Sequence, residues 1–236
     1  MVKMKRKLTF GGRKISPDVR MLSDMKEVVH DKEWVKGTDD EPLYFMYRDL
    51  YREGDRNRIR KMGLRYDITV IPSRMLGKEY VKTKGHFHPV AEKMTYPELY
   101  GVLEGEAHYL LQKEKVERTV LVRAEKGDRV IIPPGYGHVT INPTSEKLKM
   151  ANWVCRDFDS LYGPMVKKGG AAWFELESGF VRNENYEKVP ELEMFEASEN
   201  DPFRREIYDL INEPDKLEFL ISPEENKEMF EDLEFF

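Results

Sequence analysis

The sequence predicts an all-β protein: a jelly-roll barrel preceded by an arm with a short helix and followed by a helical C-terminal extension. Two observations favour this fold. Short segments rich in branched and aromatic residues follow one another closely and are separated by glycine, proline or charged turns. Histidines typical of a metal site fall on these segments, where they would face inward. The predicted strands are residues 64–71, 79–87, 98–103, 107–112, 118–122, 129–132, 139–141 and 148–154.

The chain before these strands is predicted to form the arm. Glycines and a proline interrupt residues 1–20. Ser23 could begin a short helix that extends to residue 30, because apolar residues recur there at helical spacing. Residues 43–47 are predicted to form a strand, and the charge-rich segment 48–61 is interpreted as a surface loop.

Length and charge suggest a division of the chain. Its 236 residues favour one principal domain, residues 1–190, followed by an acidic and mostly helical extension, residues 191–236. The extension has 16 acidic and 4 basic residues, a net charge of −12, whereas residues 1–190 carry +7. A basic body suits an anionic substrate such as a sugar phosphate, although a solvated charged surface would also explain it. No basic stripe with interleaved aromatic residues indicates nucleic acid as a partner.

The extension contains a helix signal. Ser222-Pro-Glu-Glu225 has the pattern of a capping box with proline in the first turn. Met229, Phe230 and Leu233 follow it, and we expect them to pack on the barrel or on a second subunit.

The sequence also bears on the compartment. No apolar run approaches the ~20 residues that cross a bilayer, and no apolar stretch of a secretory signal follows the basic start of the chain. The single cysteine, Cys155, has no partner for an internal disulfide and is expected to be a small buried strand residue. We therefore expect a cytoplasmic protein without a membrane partner.

The segment 83–88, Thr-Lys-Gly-His-Phe-His, carries the first candidate metal ligands. Alternate side chains of a strand share one face, so His86 and His88 can bind the same ion. His138 follows a Pro-Pro-Gly-Tyr-Gly turn, and Glu98 lies between them in sequence. Three imidazoles and one carboxylate leave two positions of an octahedral ion open for substrate oxygens. We expect one divalent transition metal per subunit, Fe²⁺ first, with Mn²⁺, Ni²⁺ or Zn²⁺ as alternatives that ligand type does not separate.

Two signatures of the cupin family support these ligands. The second is complete at its usual spacing, with Gly127, Pro133, Gly135, His138 and Asn142. The glycines and proline turn the chain toward His138, and Asn142 can satisfy backbone groups locally. The first signature is looser, since Tyr80 replaces its opening glycine, but both of its histidines are present.

Two carboxylates compete for the fourth ligand position. Glu92 has the short spacing from His88 that is common in cupins, but no strand ending in glycine follows it. Glu98 begins such a strand directly after Pro97, and Gly105 closes the hairpin. We therefore choose Glu98 and interpret Glu92 as a solvated residue of a lengthened loop. The remaining histidines, His30 at a helix end and His108 in a strand, are expected to have no ligand role.

The run 83–88, with Gly77-Lys-Glu79 before it and residues 98–105 after it, closely resembles the cupin-type phosphoglucose isomerases of archaea. The resemblance extends from about Leu22 to Gly163. It implies a metal-dependent homodimer that interconverts glucose 6-phosphate and fructose 6-phosphate in glycolysis and gluconeogenesis. It also implies that the metal ligands are His86, His88, Glu98 and His138, and that Thr69, Thr83, Gly85 and Tyr100 help to hold phosphate and sugar.

The residue types agree with this assignment in part. Threonine hydroxyls and a glycine N–H group are donors that suit a phosphate. Lys82 and Lys84 are either its counter-charges or exposed charges on a strand edge. Tyr100 shares a strand face with Glu98, which favours a place in the site.

The implied chemistry is proton transfer between C1 and C2 of the open-chain sugar. Glu98 is the candidate base, and Tyr100 or Tyr162 could pass protons between the oxygens. A hydride shift with the metal as electrophile is the alternative. Three departures from the family pattern, at Ala107, at Pro72 and in the strand ending at Cys155, leave sugar specificity open, mannose 6-phosphate included.

Two other functions use the same ligands. A cupin dioxygenase with ferrous iron would consume oxygen. A non-catalytic sugar-binding cupin would keep its ligand affinity after metal removal.

Overall fold

The computed structural model of the chain describes residues 7–197, residue 203 and residues 206–231. The strands are β1 (Leu8–Phe10), β2 (Arg13–Ile15), β3 (Asp18–Met21), β4 (Pro42–Tyr47), β5 (Leu64–Ile71), β6 (Met75–Leu76), β7 (Glu79–Tyr80), β8 (Glu98–Glu104), β9 (Glu106–Lys113), β10 (Thr119–Glu125), β11 (Arg129–Ile132), β12 (Tyr136–Ile141), β13 (Leu148–Cys155), β14 (Trp173–Leu176), β15 (Gly179–Arg182) and β16 (Leu192–Glu196). The α-helices are α1 (Leu22–Met25), α2 (Lys32–Gly37), α3 (Arg56–Lys61), α4 (Gly163–Lys167) and α5 (Glu228–Glu231), and 3-10 helices span Ile207–Asn212 and Pro214–Leu220.

Two sheets form the predicted jelly-roll barrel. One has the order β11-β8-β13-β5-β4-β3 and the other the order β12-β9-β10-β16. Their facing sides bury one apolar cluster, because alternate residues of each strand point inward. It includes Val102, Tyr109, Val122, Val130 and Met150.

The outer face of the six-stranded sheet is apolar as well, and the C-terminal extension covers it. Tyr66, Leu99 and Trp153 from this face share a buried cluster with Tyr208 and Phe219 of the extension. The indole N–H of Trp153 donates a hydrogen bond of 2.7 Å to the carbonyl of Ile207. The extension therefore packs on the barrel, the first of the two places expected for its apolar residues. The other barrel sheet is covered by the region of α4 and β14.

The N-terminal region is more regular than the sequence predicted. Gly11 and Gly12 have φ angles of +52° and +74°, and they form the turn of a hairpin between β1 and β2. The sequence predicted instead that they would interrupt any regular element. The helix predicted from Ser23 to residue 30 is shorter, Leu22–Met25, and it begins one residue before Ser23, whose Oγ donates to Asp40 instead of capping. The predicted loop 48–61 contains α3, which the pattern missed because Ile59 is its only buried residue among those described.

Most predicted barrel strands are found within two or three residues, but segment 79–87 differs. Only Glu79–Tyr80 is a strand, and it pairs with β6 and β14. Beyond it the chain runs antiparallel to β12 through single bridges, Lys82 to Ile141 and His86 to His138. Gly85, at φ +75°, interrupts a continuous strand there.

The predicted capping box at Ser222 is wrong. The chain forms turns from residue 223 to residue 227, and α5 begins only at Glu228. Glu224 instead binds backbone groups of a distant loop, and Leu233 lies outside the described residues. The extension also begins with a strand, β16, which pairs in parallel with β10. In the described ranges, no helix has the length and apolar character needed to cross a membrane.

Candidate metal centre and active site

The four predicted ligands come from three neighbouring segments at one end of the barrel. His138 lies on β12, and His86 lies opposite it, with each residue's N–H donating to the other's carbonyl at 3.2 and 3.0 Å. His88 is two residues further along the same segment. Glu98 is the first residue of β8, directly after Pro97, as the sequence predicted.

The ligand atoms of these four side chains all lie within 4.8 Å of one another. Nε2 of His88 is 3.2 Å from Nε2 of His86. Oε2 of Glu98 is 3.4 Å from Nε2 of both His88 and His138. The structure therefore brings together every residue of the predicted ligand set and leaves Glu92 outside it.

The carboxylate of Glu98 fits a bound cation. Its Oε1 accepts a hydrogen bond of 2.7 Å from the amide of Asn152. Its Oε2 is buried and has no hydrogen-bond partner among the described residues. A buried acceptor without a partner is costly, and a cation between the four side chains would remove that cost. The donor set, three imidazoles and one carboxylate, can hold a divalent metal ion.

A backbone carbonyl orients His88. Nδ1–H of His88 donates to the Tyr96 carbonyl at 2.8 Å, which leaves the lone pair of Nε2 directed at the other ligands. Phe158 packs on the His88 ring at 4.6 Å between centroids. Hydrogen bonds and packing thus fix the imidazole before any ion binds.

Burial sets the protonation of the metal-free site. It lowers the pKa of His88 to about 4 and lowers the pKa values of His86 and His138 far below their usual range. All three imidazoles are therefore neutral, which is the form that binds metals. Burial, and then the nearby charge of Asp67, raises the pKa of Glu98 to about 8 against the opposing effect of Arg65. A cation entering at neutral pH would displace the proton of Glu98.

A cavity extends from these ligands toward solvent, and it contains most of the predicted substrate residues. Thr69, Thr83, Tyr100 and Tyr162 all line it. The Tyr100 hydroxyl lies 3.1 Å from Nε2 of His138. Gly85 is not part of its wall. A Cβ at Gly85 would lie 2.6 Å from Sδ of Met165, so close packing by itself also requires glycine at this position.

Two cations lie beside Tyr162: Lys84, which also lines the cavity, and Arg20, which does not. Lys84 Nζ lies 5.6 Å and the Arg20 guanidinium 5.5 Å from the centre of its ring. In the part of the chain that the structure describes, neither Lys84 nor Arg20 forms an ion pair. Lys82 is different: it is buried and paired with Glu79, so it is neither a counter-charge of the cavity nor an exposed charge.

The chain is similar in sequence to one family of known proteins. A family model described as "Glucose-6-phosphate isomerase (GPI)" matches residues 19–191. The chain belongs to the glucose-6-phosphate isomerase family. Glucose-6-phosphate isomerase from Thermococcus litoralis is 32% identical over 168 residues, 69% of this chain and 82% of the relative. The enzyme of the same name from Pyrococcus horikoshii is 31% identical over 169 residues, 70% of this chain and 83% of the relative. Among solved structures, vicilin from Corylus avellana aligns with 51% of this chain and 32% of its own, at 18% identity and a TM-score of 0.39.

Sequence reasoning missed several polar residues of this family member's cavity. Asn152, Asp67, Arg65 and Arg48 all line it. Asp67 is buried and accepts two hydrogen bonds from Arg65 Nε, at 3.1 and 2.9 Å. Strand alternation could have indicated Asn152, a polar residue on the inward face of an apolar strand two positions from Met150. The arginines gave no such signal, because charged residues are common throughout the chain.

The other two histidines lie outside the candidate centre, as expected. His108 lies on β9 and is hydrogen-bonded at 2.9 Å to Glu175. His30 is exposed, and its ring packs at a tilt against Phe174, with 4.9 Å between the ring centroids. Cys155 is buried at the end of β13, also as expected.

Proposed function

We propose that this member of the family is a metal-dependent aldose–ketose isomerase that interconverts glucose 6-phosphate and fructose 6-phosphate. The observation that carries the proposal is a His₃Glu cluster in a cavity that Lys84 also lines, with Arg20 beside Tyr162 of its wall; neither cation has an ion pair among the described residues. A sugar phosphate has the complementary arrangement. Its carbonyl and hydroxyl oxygens can lie near the cluster while its phosphate lies near the cations.

His86, His88, Glu98 and His138 would hold one divalent metal per subunit, with Fe²⁺ the first choice and Mn²⁺, Ni²⁺ or Zn²⁺ the alternatives. When bound, the metal supplies a Lewis acid for adjacent hydroxyl and carbonyl oxygens. Asn152 holds one oxygen of Glu98 and so leaves the other directed into the cluster.

Glu98 is the proposed base. It takes the proton from C2 of the open-chain aldose and returns it to C1, which proceeds through an enediolate. Tyr100 and Tyr162 have hydroxyls at the cavity and can pass a proton between the two substrate oxygens. A hydride shift from C2 to C1 needs no base, so a Glu98→Gln variant that keeps its metal would remain active only on that route.

The phosphate is proposed to lie near Lys84 and Arg20. Thr69 and Thr83, which line the same cavity, can contribute hydroxyl donors. This placement puts the phosphate beside Tyr162 and the chemistry at the His₃Glu cluster.

We further propose that the protein is a cytoplasmic homodimer of glycolysis and gluconeogenesis, as the family resemblance implies. The division into residues 1–190 and 191–236 is likewise proposed, and it is supported by the family match, which ends at residue 191. Sedimentation of the purified chain tests the dimer.

The experiment follows fructose 6-phosphate formation from glucose 6-phosphate with protein as purified, after chelation, and after Fe²⁺ or Mn²⁺ is restored. We expect activity that chelation abolishes and metal restores. No turnover with metal restored would contradict the proposal. Oxygen uptake would indicate a dioxygenase instead, and sugar-phosphate affinity that is unchanged by chelation would indicate a binding protein.

A further inference from the structure

The loop of residues 89–97 connects two proposed metal ligands, His88 and Glu98. It folds back on itself, with a bridge between Val90 and Thr95. At its tip the N–H of Ala91 donates to the Met94 carbonyl at 2.8 Å. The tip is therefore a tight turn with several backbone N–H groups directed outward.

Three of these N–H groups converge on one atom from the C-terminal extension. Glu92, Lys93 and Met94 donate to Oε1 of Glu224 at 3.2, 2.6 and 2.7 Å. Successive N–H groups that form such a concavity bind anions. These donors lower the pKa of Glu224 to about 2, so its side chain is a carboxylate throughout the physiological range.

Glu224 is itself held in place. Pro223 beside it is buried, and the side-chain amide of Asn226 donates to the Ser222 carbonyl at 2.9 Å. The preceding 3-10 helix, Pro214–Leu220, buries Leu217 and Phe219 against the barrel. The carboxylate is thus attached to the core and not to a free chain end.

The other end of the loop contacts a proposed metal ligand. The Tyr96 carbonyl accepts the hydrogen bond that orients His88, at 2.8 Å. The Tyr96 ring stacks on Phe158 at 5.0 Å, and Phe158 packs on His88. Oγ1 of Thr95 accepts a hydrogen bond of 2.6 Å from the N–H of Gly135. A shift of the loop would therefore change the orientation of the His88 imidazole.

We propose that Glu224 is a positioning residue for the metal centre: it anchors loop 89–97 and through Tyr96 holds His88 in its metal-binding orientation. The inference rests on the proposed metal site. Glu224 lies beyond the family match, which ends at residue 191. The loop is the one that we interpreted from the sequence as lengthened. The extension and the lengthened loop would then act together to hold His88 in its metal-binding orientation.

The test compares Glu224→Ala and Glu224→Gln with Glu225→Ala. Glu225 is exposed and adjacent, so its variant removes the same charge from the same turn without touching the loop. The first measurement is hydrogen exchange of the amides of residues 92–94 in metal-free protein. The second is the dissociation constant of Mn²⁺ from the full chain, measured by calorimetry.

We expect Glu224→Ala to speed exchange of these amides about tenfold and to weaken Mn²⁺ binding about three- to tenfold, less than the ~10- to 100-fold typical of direct partners of a metal ligand. Glu224→Gln keeps an acceptor oxygen, so it should fall between the parent and Glu224→Ala. Glu225→Ala should match the parent in both measurements.

Mn²⁺ affinity of Glu224→Ala within twofold of the parent would overturn the proposal, even if that variant melts earlier. An equal loss of Mn²⁺ affinity in Glu225→Ala would also overturn it, because removal of a negative charge anywhere in this turn would then explain the effect. Neither measurement uses turnover. A parent that binds Mn²⁺ but does not convert glucose 6-phosphate would therefore contradict the proposed function alone.

Discussion

Asn152 donates its side-chain amide to Oε1 of Glu98 at 2.7 Å, across two adjacent strands of the barrel. The pair is buried, and the contact fixes which carboxylate oxygen is directed at the three imidazoles. Asn152→Ala should therefore weaken binding of Mn²⁺ or Fe²⁺ about 10- to 100-fold, as expected for direct partners of metal ligands. Metal titration of the folded variant measures this loss of affinity. Asn185→Ala, at an exposed asparagine away from the cavity, is the control, and an equal affinity of the two variants would refute the role of Asn152.

The choice of carboxylate is tested by a matched pair. Glu98→Gln should fold and have less than about 1% of the parent's isomerase activity, because loss of a general base typically costs ~10²- to 10⁴-fold. Glu92→Gln should behave like the parent, since Glu92 is an exposed loop residue. Steady-state kinetics with metal content measured alongside gives the answer. The reverse pattern would mean that Glu92 is the functional carboxylate.

Metal affinity should depend on pH through Glu98. Because the pKa of Glu98 in the metal-free protein is about 8, a metal ion must displace a proton below that pH. The affinity should rise about tenfold per pH unit from pH 6 to pH 8 and then level off. The histidines add nothing to this slope, since burial lowers their pKa values below this range. Calorimetry in buffers of different ionisation enthalpy counts the released proton, and a pH-independent affinity would contradict the assignment.

The same raised pKa has a consequence for folding of the metal-free protein. In the unfolded chain a glutamate titrates near ~4.3, below its pKa in the fold. Between these two values Glu98 keeps its proton in the folded state, so its own contribution to stability falls as pH rises. The three buried histidines act in the opposite sense up to their unfolded pKa near ~6.5, because burial lowers their pKa values in the fold. Urea unfolding of the metal-free parent and of Glu98→Gln at pH 5.5 and 7.5 separates the two contributions. Glu98→Gln keeps the histidine contribution and lacks that of Glu98, so it should gain more stability than the parent over this range. An equal change in both proteins would contradict the raised pKa of Glu98.

The two cations beside Tyr162 predict a phosphate-specific effect. Lys84→Met should raise KM for glucose 6-phosphate about tenfold, because a hydrogen bond to a charged group contributes ~1.5–3 kcal/mol and Lys84 is partly exposed. It should leave kcat nearly unchanged, since Lys84 lines the cavity but is not among the ligands. Lys78→Met, at an exposed lysine, is the control. An unchanged KM in Lys84→Met would place the phosphate elsewhere.

The ligand set was predictable because its signals are local. Strand alternation put His86 and His88 on one face, and Pro97 marked the start of the strand that carries Glu98. The structure places each of them as the sequence indicated. The barrel strands were also predictable from local signals, since each strand segment has apolar residues at alternating or consecutive positions, and these side chains are buried.

Contacts between distant parts of the chain were not predictable. Ser222 matched a capping pattern, but tertiary packing made residues 223–227 a series of turns and brought Glu224 to Met94, 130 residues away. Gly85 was assigned to the phosphate from its own segment alone, and the side chains that leave no room for a Cβ there, Met165 and Val139, come from distant parts of the chain. No local pattern encodes either pairing.

The central claim is that one cation binds between four side chains, and anomalous diffraction from crystals grown with Mn²⁺ tests it most directly. The account predicts one strong peak within about 2.0–2.4 Å of Nε2 of the three imidazoles and an oxygen of Glu98. No peak there at saturating Mn²⁺, or a peak bound by Glu92 or His108 instead, would contradict it.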